Sequence, residues 1–221
     1  MARTLFTSKY GGSSLSIFES LNLGLHVGDD PIAVAANREL LRKEFSSPAL
    51  IFMNQSHSAK ITEVSSTENG VLDCDAIFTR EPNIALAVMV ADCIPLLLKT
   101  NNMVAAVHVG RRGLLAGIVE AVIDQFQIFS SGPITADIGP AICGQCYEVD
   151  PATYQEVVAR YPSSATSEAK HRLDLKSGTL NLLTSRGVEV TDWNRCTMHD
   201  VGYFSYRRDG VTGRQAGIIS L

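Results

Sequence analysis

Two histidines and one cysteine lie in local settings that suit metal chemistry. His57 ends the tetrapeptide N-Q-S-H, Cys93 is the centre of A-D-C-I-P, and His108 precedes V-G-R-R-G. Cys93 and His108 each end a long apolar run that predicts a buried strand. Imidazole and thiolate are ligands that zinc prefers, and three protein ligands with one open position are typical of a catalytic zinc. The trio therefore indicates a metal-dependent enzyme whose zinc ligands are His57, Cys93 and His108.

The residues that follow His108 predict an anion site. Gly110-Arg111-Arg112-Gly113 leads into a segment with helical periodicity from Leu114 to Phe126. A helix N-terminus favours an anion, and arginine adds donors that match phosphate. We therefore predict that Arg112, together with Arg111, binds phosphate. Solvated surface arginines would explain the same pattern, just as a core cysteine and structural histidines would explain the trio.

Three other motifs leave alternatives open. Asp92 is either an acceptor that orients a ligating histidine or a turn residue that ends a strand. Cys143-Gly144-Gln145-Cys146 suits a redox dithiol or half of a zinc site, but no second C-x-x-C accompanies it. A glycine-rich loop that forms a pocket wall is therefore favoured there. The aromatic and arginine residues of 204–214 either contact a flat ring and anions or form a hairpin that closes a sheet.

Short strands dominate the elements that must position these residues. Asp30 is a suitable N-cap and Pro31 fits the first helical position, so a helix should run to about Phe45, with Val34 and Leu41 facing the core. Strands are predicted at Leu50–Met53, Ile61–Val64, Ala76–Thr79, Ile84–Val90, Pro95–Lys99, Met103–His108, Ile134–Ile138, Val188–Thr191, Val201–Ser205 and Ala216–Ser220. Helices are predicted at 114–126, Pro151–Arg160 and Leu175–Arg186, with a surface loop from Ser163 to Lys170. Because the strands are apolar on both faces, helices or a second sheet must cover them.

The composition fits an ordinary globular protein of one domain over residues 1–221. Hydrophobic residues make up 45% and charged residues 19% of the chain, and the net charge of −4 gives no electrostatic footprint for nucleic acid. We expect no signal peptide, because no basic N-terminal segment leads into an apolar stretch, and the longest apolar run, Ile84 to Ala91, is too short to span a membrane. Five cysteines without a regular framework argue against a secreted disulfide scaffold. We therefore expect a cytoplasmic protein with no nucleic-acid or membrane partner, while its oligomeric state stays open.

Several ordered motifs along almost the whole chain resemble the laccase-domain family, whose members are described as multicopper polyphenol oxidases and as purine nucleoside phosphorylases. The motifs are N-L-G-L-H-V-G-D from Asn22, N-R from Asn37, Q-S-H from Gln55, D-A from Asp75, A-D-C-I-P from Ala91, H-V-G-R-R-G from His108, I-G-P-A-I from Ile138, C-Y-E-V from Cys146, C-T from Cys196 and S-Y-R-R-D from Ser205. Together they are far more specific than any one of them alone.

The resemblance implies an α+β fold, in which mixed sheets flanked by helices form an α/β/β/α-like sandwich similar to a bacterial toxin domain with a Cys/His site. It implies the same zinc trio, and motif matching adds Asn22, His26 and Arg38 as substrate contacts. The implied reactions are phosphorolysis of adenosine, inosine, guanosine and methylthioadenosine, and deamination of adenosine to inosine. One departure is Arg111, which stands where the family usually has an aromatic residue. The H-x-E signature of known zinc deaminases is absent, so the deaminase is the weaker implication.

Three other classes of function compete with a zinc-dependent phosphorylase. A copper polyphenol oxidase would bind several coppers through histidines, and the chain has only five histidines. A cysteine hydrolase would use Cys93 as nucleophile and His108 as base, acting on an amide such as a peptidoglycan precursor. A non-catalytic binding module would leave the metal trio unexplained.

Overall fold

The computed structural model describes residues 2–65, 71–130 and 132–221. The strands are β1 Arg3–Phe6, β2 Ala49–Phe52, β3 Ile61–Glu63, β4 Ala76–Thr79, β5 Ile84–Val90, β6 Ile94–Lys99, β7 Val104–Val109, β8 Thr135–Ile138, β9 Ala165–Ser167, β10 Arg172–Leu173, β11 Glu189–Asp192 and β12 Gln215–Ser220. The helices are α1 Pro31–Glu44, α2 Arg111–Leu115, α3 Ile118–Phe129, α4 Pro151–Arg160, α5 Leu175–Ser185 and α6 Tyr206–Asp209.

The strands form two large mixed sheets and one small hairpin. The first sheet has the order β1-β12-β5-β2, and the second has the order β11-β8-β6-β7-β4-β3. The pairs β2/β5, β3/β4 and β8/β11 are parallel, whereas the other pairs of these two sheets are antiparallel. In the antiparallel pair of β9 and β10, Arg172 lies opposite Ser167.

Strand β5 explains why the sheets stack. Its isoleucine, leucine and valine side chains, from Ile84 to Val90, pack between the two sheets against residues such as Leu97 of β6. The alternate side chains, including Met89, pack on the other face against Leu41 of α1. The second sheet is covered on its outer face by a core to which α3, α4 and α5 contribute. This α/β/β/α arrangement confirms the predicted fold class.

Helix α1 follows its sequence signals. The Asp30 side chain accepts a hydrogen bond from the backbone N–H of Ile32, and Pro31 occupies the first turn. Val34 and Leu41 are buried in the core, as is Phe45, which caps the C-terminus. An N-cap of this kind contributes about 1 kcal/mol, and the buried apolar face contributes most of the remaining stability.

Some predicted elements were wrong. The single helix expected after Gly113 is two helices, α2 and α3, because Gly117 adopts a left-handed conformation with φ 87° between them. No strand covers Val201–Ser205; this segment is a turn region that leads into α6. The expected surface loop from Ser163 to Lys170 contains β9, and β1 at the N-terminus was not predicted. Among the described residues, no helix has the length and apolarity needed to cross a membrane.

Candidate metal centre and adjoining cavity

Neighbouring strands bring the metal-binding candidates together. Cys93 directly precedes β6, and His108 lies in β7 opposite Pro95 of β6. His57 comes from the loop after β2, where its backbone adopts φ 60°. One potential ligand atom from each of the three side chains lies within 4.8 Å of the others. The rings of His57 and His108 meet edge to face, with their centroids 4.7 Å apart.

Asp75, directly before β4, holds two of these residues in place. Its Oδ1 lies 2.8 Å from Nδ1 of His108 and accepts the backbone N–H of His57 at 2.9 Å. Its Oδ2 accepts the backbone N–H groups of Ser56 at 3.2 Å and Ser58 at 2.6 Å. The carboxylate is fully buried. A carboxylate behind a ligating histidine is the arrangement that orients imidazole in metal sites.

The electrostatics of the site follow from this buried network. Burial would raise the pKa of Asp75, but hydrogen bonds from His108 and Ser58 hold it well below its usual range. Burial opposes the charged form of His108, yet neighbouring Cys93 and Asp75 outweigh it and raise the pKa of His108 to about 9. Burial, together with the nearby His108, lowers the pKa of His57. The buried negative charge of Asp75 therefore favours a cation at this position, either a proton or a metal.

The close approach of the trio requires a glycine beside it. A Cβ on Gly110 would lie 2.8 Å from Nδ1 of His57 and 3.2 Å from Sγ of Cys93. The backbone of Gly110 has φ −92°, which any residue can adopt, so the constraint is space and not backbone conformation. The trio offers two imidazoles and one thiol, which are donor types that zinc prefers. Such a set fits a zinc ion with one position left for a small ligand.

Asp92, next to Cys93, is not a partner of a ligating histidine. Its Oδ1 accepts the hydroxyls of Thr197 at 2.6 Å and Ser205 at 2.7 Å, and its Oδ2 accepts the backbone N–H of Arg207 at 2.7 Å. Asp92 is a turn residue, which was the second interpretation from the sequence: it adopts φ 93° in the turn between β5 and β6. Asp92 thus fixes the C-terminal segment against the metal-binding candidates.

A cavity of about 610 Å³ adjoins the trio and includes all three of its residues in its wall. Apolar and sulfur-containing side chains make up much of this wall, namely Leu25, Phe52, Met53, Val71, Leu72, Met89 and Val90. Tyr206 at the start of α6 also lines it, as do the basic residues His26, Arg38 and Arg214. Such a mixture of apolar walls with a few convergent polar groups is typical of a small-molecule site.

The arginines of the cavity are held by backbone carbonyls. Arg38 donates to Leu23 O at 2.6 Å and 2.9 Å, and its guanidinium lies 3.9 Å from the centroid of the Phe52 ring. Burial lowers the pKa of Arg38 to about 10, and burial also lowers that of Arg214. Arg214 donates to the carbonyls of Thr212 and Gly213, both at 2.9 Å. Both guanidiniums are therefore positioned before any ligand arrives.

Two of the predicted substrate contacts, His26 and Arg38, line this cavity, but Asn22 does not. The Asn22 side chain is fully buried and donates to Asp29 at 2.8 Å, while its oxygen accepts the backbone N–H groups of Gly24 and Arg214, each at 2.9 Å. One of these hydrogen bonds positions Arg214, which the sequence offered only within the aromatic and arginine cluster of 204–214. Burial lowers the pKa of His26, and the charges of Arg214 and Arg38 lower it further.

The predicted phosphate residues lie elsewhere. Arg112 is exposed and does not line the cavity. Arg111 lines a separate cleft with Tyr147 and Arg207, and its guanidinium is 4.0 Å from the carboxylate of Glu156. Helix α2 is only five residues long and is therefore too short to act as the extended dipole that the prediction assumed. The sequence offered Arg214 only as part of an aromatic and arginine cluster.

Known proteins resemble this chain over its full length. A family profile described as multi-copper polyphenol oxidoreductase laccase matches residues 3–221. A purine nucleoside phosphorylase of Corynebacterium glutamicum is 42% identical over 231 residues, covering 99% of this chain and 94% of the relative. One from Streptomyces coelicolor is 41% identical over 227 residues, covering 98% and 94%. The crystal structure of a Neisseria meningitidis protein matches with a TM-score of 0.91 at 34% identity, covering 100% and 94%.

Proposed function

Because the chain belongs to the multi-copper polyphenol oxidoreductase laccase family, whose relatives above are named purine nucleoside phosphorylases, we propose that it is a zinc-dependent purine nucleoside phosphorylase. The reaction transfers the ribosyl group of a nucleoside to phosphate and yields the free base and ribose 1-phosphate. One observation carries the proposal: a single cavity contains the metal-binding trio, two positioned guanidiniums and an apolar wall. Adenosine, inosine, guanosine and methylthioadenosine are the proposed substrates.

The apolar part of the cavity suits the purine. Tyr206 offers an aromatic surface, and Leu25, Met89 and Val90 add apolar side chains to the same cavity wall. The backbone of Met89 is already engaged, because the amide of Gln55 donates to its carbonyl at 2.7 Å and accepts from its N–H at 2.9 Å. This wall is therefore pre-organised, and a flat base gains affinity from it chiefly by burial of apolar surface.

Arg38 and Arg214 are assigned to phosphate. They are the arginines in the cavity wall, and guanidinium donors match the geometry of phosphate oxygens. Burial and the charges of Arg214 and Arg38 lower the pKa of His26, which shows that His26 lies close to both guanidiniums and that all three side chains face this corner of the cavity. Arg112 and Arg111, the residues favoured by the sequence, would act only through the long-range field at His57.

The trio of His57, Cys93 and His108 is assigned to zinc. Zinc bound there would supply Lewis-acid stabilisation of charge that develops on a phosphate or ribose oxygen. The role of the chain itself is to orient the ligands: Asp75 engages Nδ1 of His108 and leaves Nε2 as its ligand atom. Copper is the alternative metal, but a multicopper cluster would need more histidines than the two that meet here.

Deamination of adenosine is not part of the primary proposal. A zinc deaminase moves protons through a carboxylate beside the metal. Among the described residues of the cavity wall there is no aspartate or glutamate. Phosphorolysis requires no such group, because the proton balance is met at the departing purine and at phosphate.

A cysteine hydrolase is the second candidate function, and one observation favours it. The imidazole of His108 contacts the carboxylate of Asp75 on one side and the thiol of Cys93 on the other. A catalytic triad has the same arrangement of orienting carboxylate, base and nucleophile. The amide of a peptidoglycan precursor is the substrate class to which this candidate applies. A hydrolase of this kind would resist chelators and lose activity on thiol alkylation, whereas the zinc enzyme would lose activity on chelation and recover it with added zinc.

The deciding experiment is product analysis by chromatography after incubation of the purified protein with adenosine, with and without phosphate. Adenine and ribose 1-phosphate that appear only with phosphate support the phosphorylase, and inosine in both samples would add the deaminase. Cys93→Ala is the matched inactive variant, and Cys74→Ala is its control, because Cys74 is a buried free cysteine outside the trio. A zinc-loaded protein that turns over no nucleoside would refute the proposal.

A further inference from the structure

A second group of metal-binding side chains lies away from the cavity. Cys143 and Cys146 follow β8, and Cys196 and His199 follow β11, about 50 residues later. One donor atom from each of the four residues lies within 4.8 Å of the others. Sγ of Cys146 is 3.0 Å from Nε2 of His199. In the sequence, the first half of this cluster is the C-x-x-C of residues 143–146, and the second half is the C-x-x-H of residues 196–199.

Two tight turns present these donors. In the first turn, the backbone N–H groups of Cys146 and Tyr147 donate to Cys143 O at 3.0 Å and 3.1 Å. In the second turn, the backbone N–H of Asp200 donates to Cys196 O at 2.9 Å. Each turn therefore places its two donor side chains on the same side of the chain. Such knuckle-like turns are common where a protein chain wraps a tetrahedral metal.

Backbone pairing fixes the two turns against each other. Ala141 forms an isolated parallel bridge with Cys196. The N–H of Ala141 donates to Arg195 O at 3.1 Å, and the N–H of Thr197 donates to Ala141 O at 3.2 Å. The N–H of Cys143 points at Sγ of Cys196, 3.4 Å away, as it would towards a thiolate. The four donors are thus gathered by contacts that do not depend on a metal.

We propose that Cys143, Cys146, Cys196 and His199 bind a structural zinc ion. Three thiolates and one imidazole form one of the usual ligand sets of structural zinc, and four protein ligands leave no open position for chemistry. Tetrahedral zinc places its donors about 3.5–3.8 Å apart, which small side-chain rotations reach from the present spread of up to 4.8 Å. The exposed His199 gives an entry path, and Arg195, in the wall of the same cleft, offsets the net negative charge of the loaded site.

The position of this site indicates what it stabilises. Cys196 adjoins Thr197, whose hydroxyl donates to Asp92, and the same carboxylate receives Ser205 just before α6. The C-terminal segment that carries Tyr206 into the cavity wall is therefore attached at two points, the zinc cluster and Asp92. A closed zinc site contributes its binding free energy to folding, so it would rigidify this segment.

Metal analysis of the purified chain, prepared in reducing buffer with zinc and freed of excess by gel filtration, tests the proposal. We expect about two zinc ions per chain in the wild type and about one in Cys146→Ser, His199→Ala or Cys93→Ala. His199→Cys should keep the full content, because a four-cysteine site also binds zinc. Cys74→Ala, which changes a cysteine outside both clusters, should match the wild type. A Cys146→Ser protein with the wild-type content would overturn the proposal.

A second readout is spectroscopic and compares two variants that share the Cys93→Ala change. Cobalt substituted into Cys93→Ala should give the strong thiolate-to-cobalt absorption of a tetrahedral site with three sulfurs, and this band should vanish in Cys93→Ala/Cys146→Ser. The absence of such a band in Cys93→Ala would refute the zinc site. A Cys143–Cys146 disulfide under the same reducing conditions, seen as an intact-mass loss of two hydrogens and assigned by peptide mapping, would also refute it. Neither readout involves nucleoside turnover, so the phosphorylase proposal and this one can fail separately.

Discussion

Asp75 Oδ1 lies 2.8 Å from Nδ1 of His108 and also accepts the backbone N–H of His57, so one carboxylate positions two of the three residues assigned to zinc. These residues are 18 and 33 positions away from Asp75 in the sequence. The contact fixes the His108 tautomer whenever the ring is neutral: Nδ1 carries the proton and Nε2 is free to bind a metal. The geometry of the proposed metal site therefore depends on a residue that is not one of its three candidate ligands.

Replacement of Asp75 by asparagine should weaken metal binding. The asparagine amide cannot accept all the hydrogen bonds that the carboxylate accepts, and it lacks the charge that favours a bound cation. Outer carboxylates of this kind change metal affinity by about 10- to 100-fold. We expect a loss of that size in zinc competition with a chromophoric chelator. Asp73→Asn is the matched control, because Asp73 bonds only the exposed Asn54 among the described contacts; equal affinities in both variants would contradict the assignment.

Gly110→Ala should displace His57 while it leaves the fold intact. The added methyl group would stand 2.8 Å from Nδ1 of His57, yet the backbone of Gly110 is in a region open to alanine. We expect zinc affinity to fall on the order of tenfold, as for other changes that misplace a ligand, with little change in the thermal midpoint. Gly132→Ala, whose nearest neighbour would be 3.6 Å away, is the control. Unchanged zinc affinity in Gly110→Ala would show that His57 is not a ligand.

Arg214→Gln should impair the use of phosphate. Loss of a hydrogen-bonded charge costs about 1.5–3 kcal/mol, so kcat/KM for phosphorolysis should fall about 10- to 100-fold, with a higher KM for phosphate. Arg112→Gln, a change outside the cavity wall, should stay within about twofold of the wild type. Steady-state kinetics with phosphate as the varied substrate gives both numbers. A larger loss in Arg112→Gln than in Arg214→Gln would contradict this assignment and support Arg112, the residue that the sequence favoured for phosphate.

Asp92→Asn should loosen the C-terminal segment without removal of metal from the trio. The asparagine oxygen can still accept the hydroxyls of Thr197 and Ser205, but its NH₂ group would face the N–H of Arg207. We expect a loss of about 1.5–3 kcal/mol in the free energy of unfolding and a higher KM for nucleoside. A double-mutant cycle with Thr197→Val should give a non-additive energy. Additive effects, measured by denaturant unfolding, would show that Asp92 and Thr197 are not coupled.

The sequence determined most of the elements because their signals are local. Asp30 and Pro31 mark the start of α1, and the apolar run from Ile84 predicts β5, because a strand buried on both faces needs apolar side chains at every position. The donor atoms of His57, Cys93 and His108, on which the zinc proposal rests, were also readable from the sequence, and the structure brings them within 4.8 Å of one another. The helix after Gly113 was misplaced because helical periodicity does not reveal the left-handed break at Gly117.

Tertiary structure alone decided the surroundings of the site. It made Asp75 the partner of His108, buried Asn22 behind Arg214, turned Asp92 towards Thr197 and Ser205, and placed Arg112 outside the cavity. It also joined the two halves of the Cys/His cluster across about 50 residues of chain. The physical reason is the same in each case: hydrogen bonds and metal ligation act over a few ångströms of space, and strand order, not sequence distance, decides which side chains come that close.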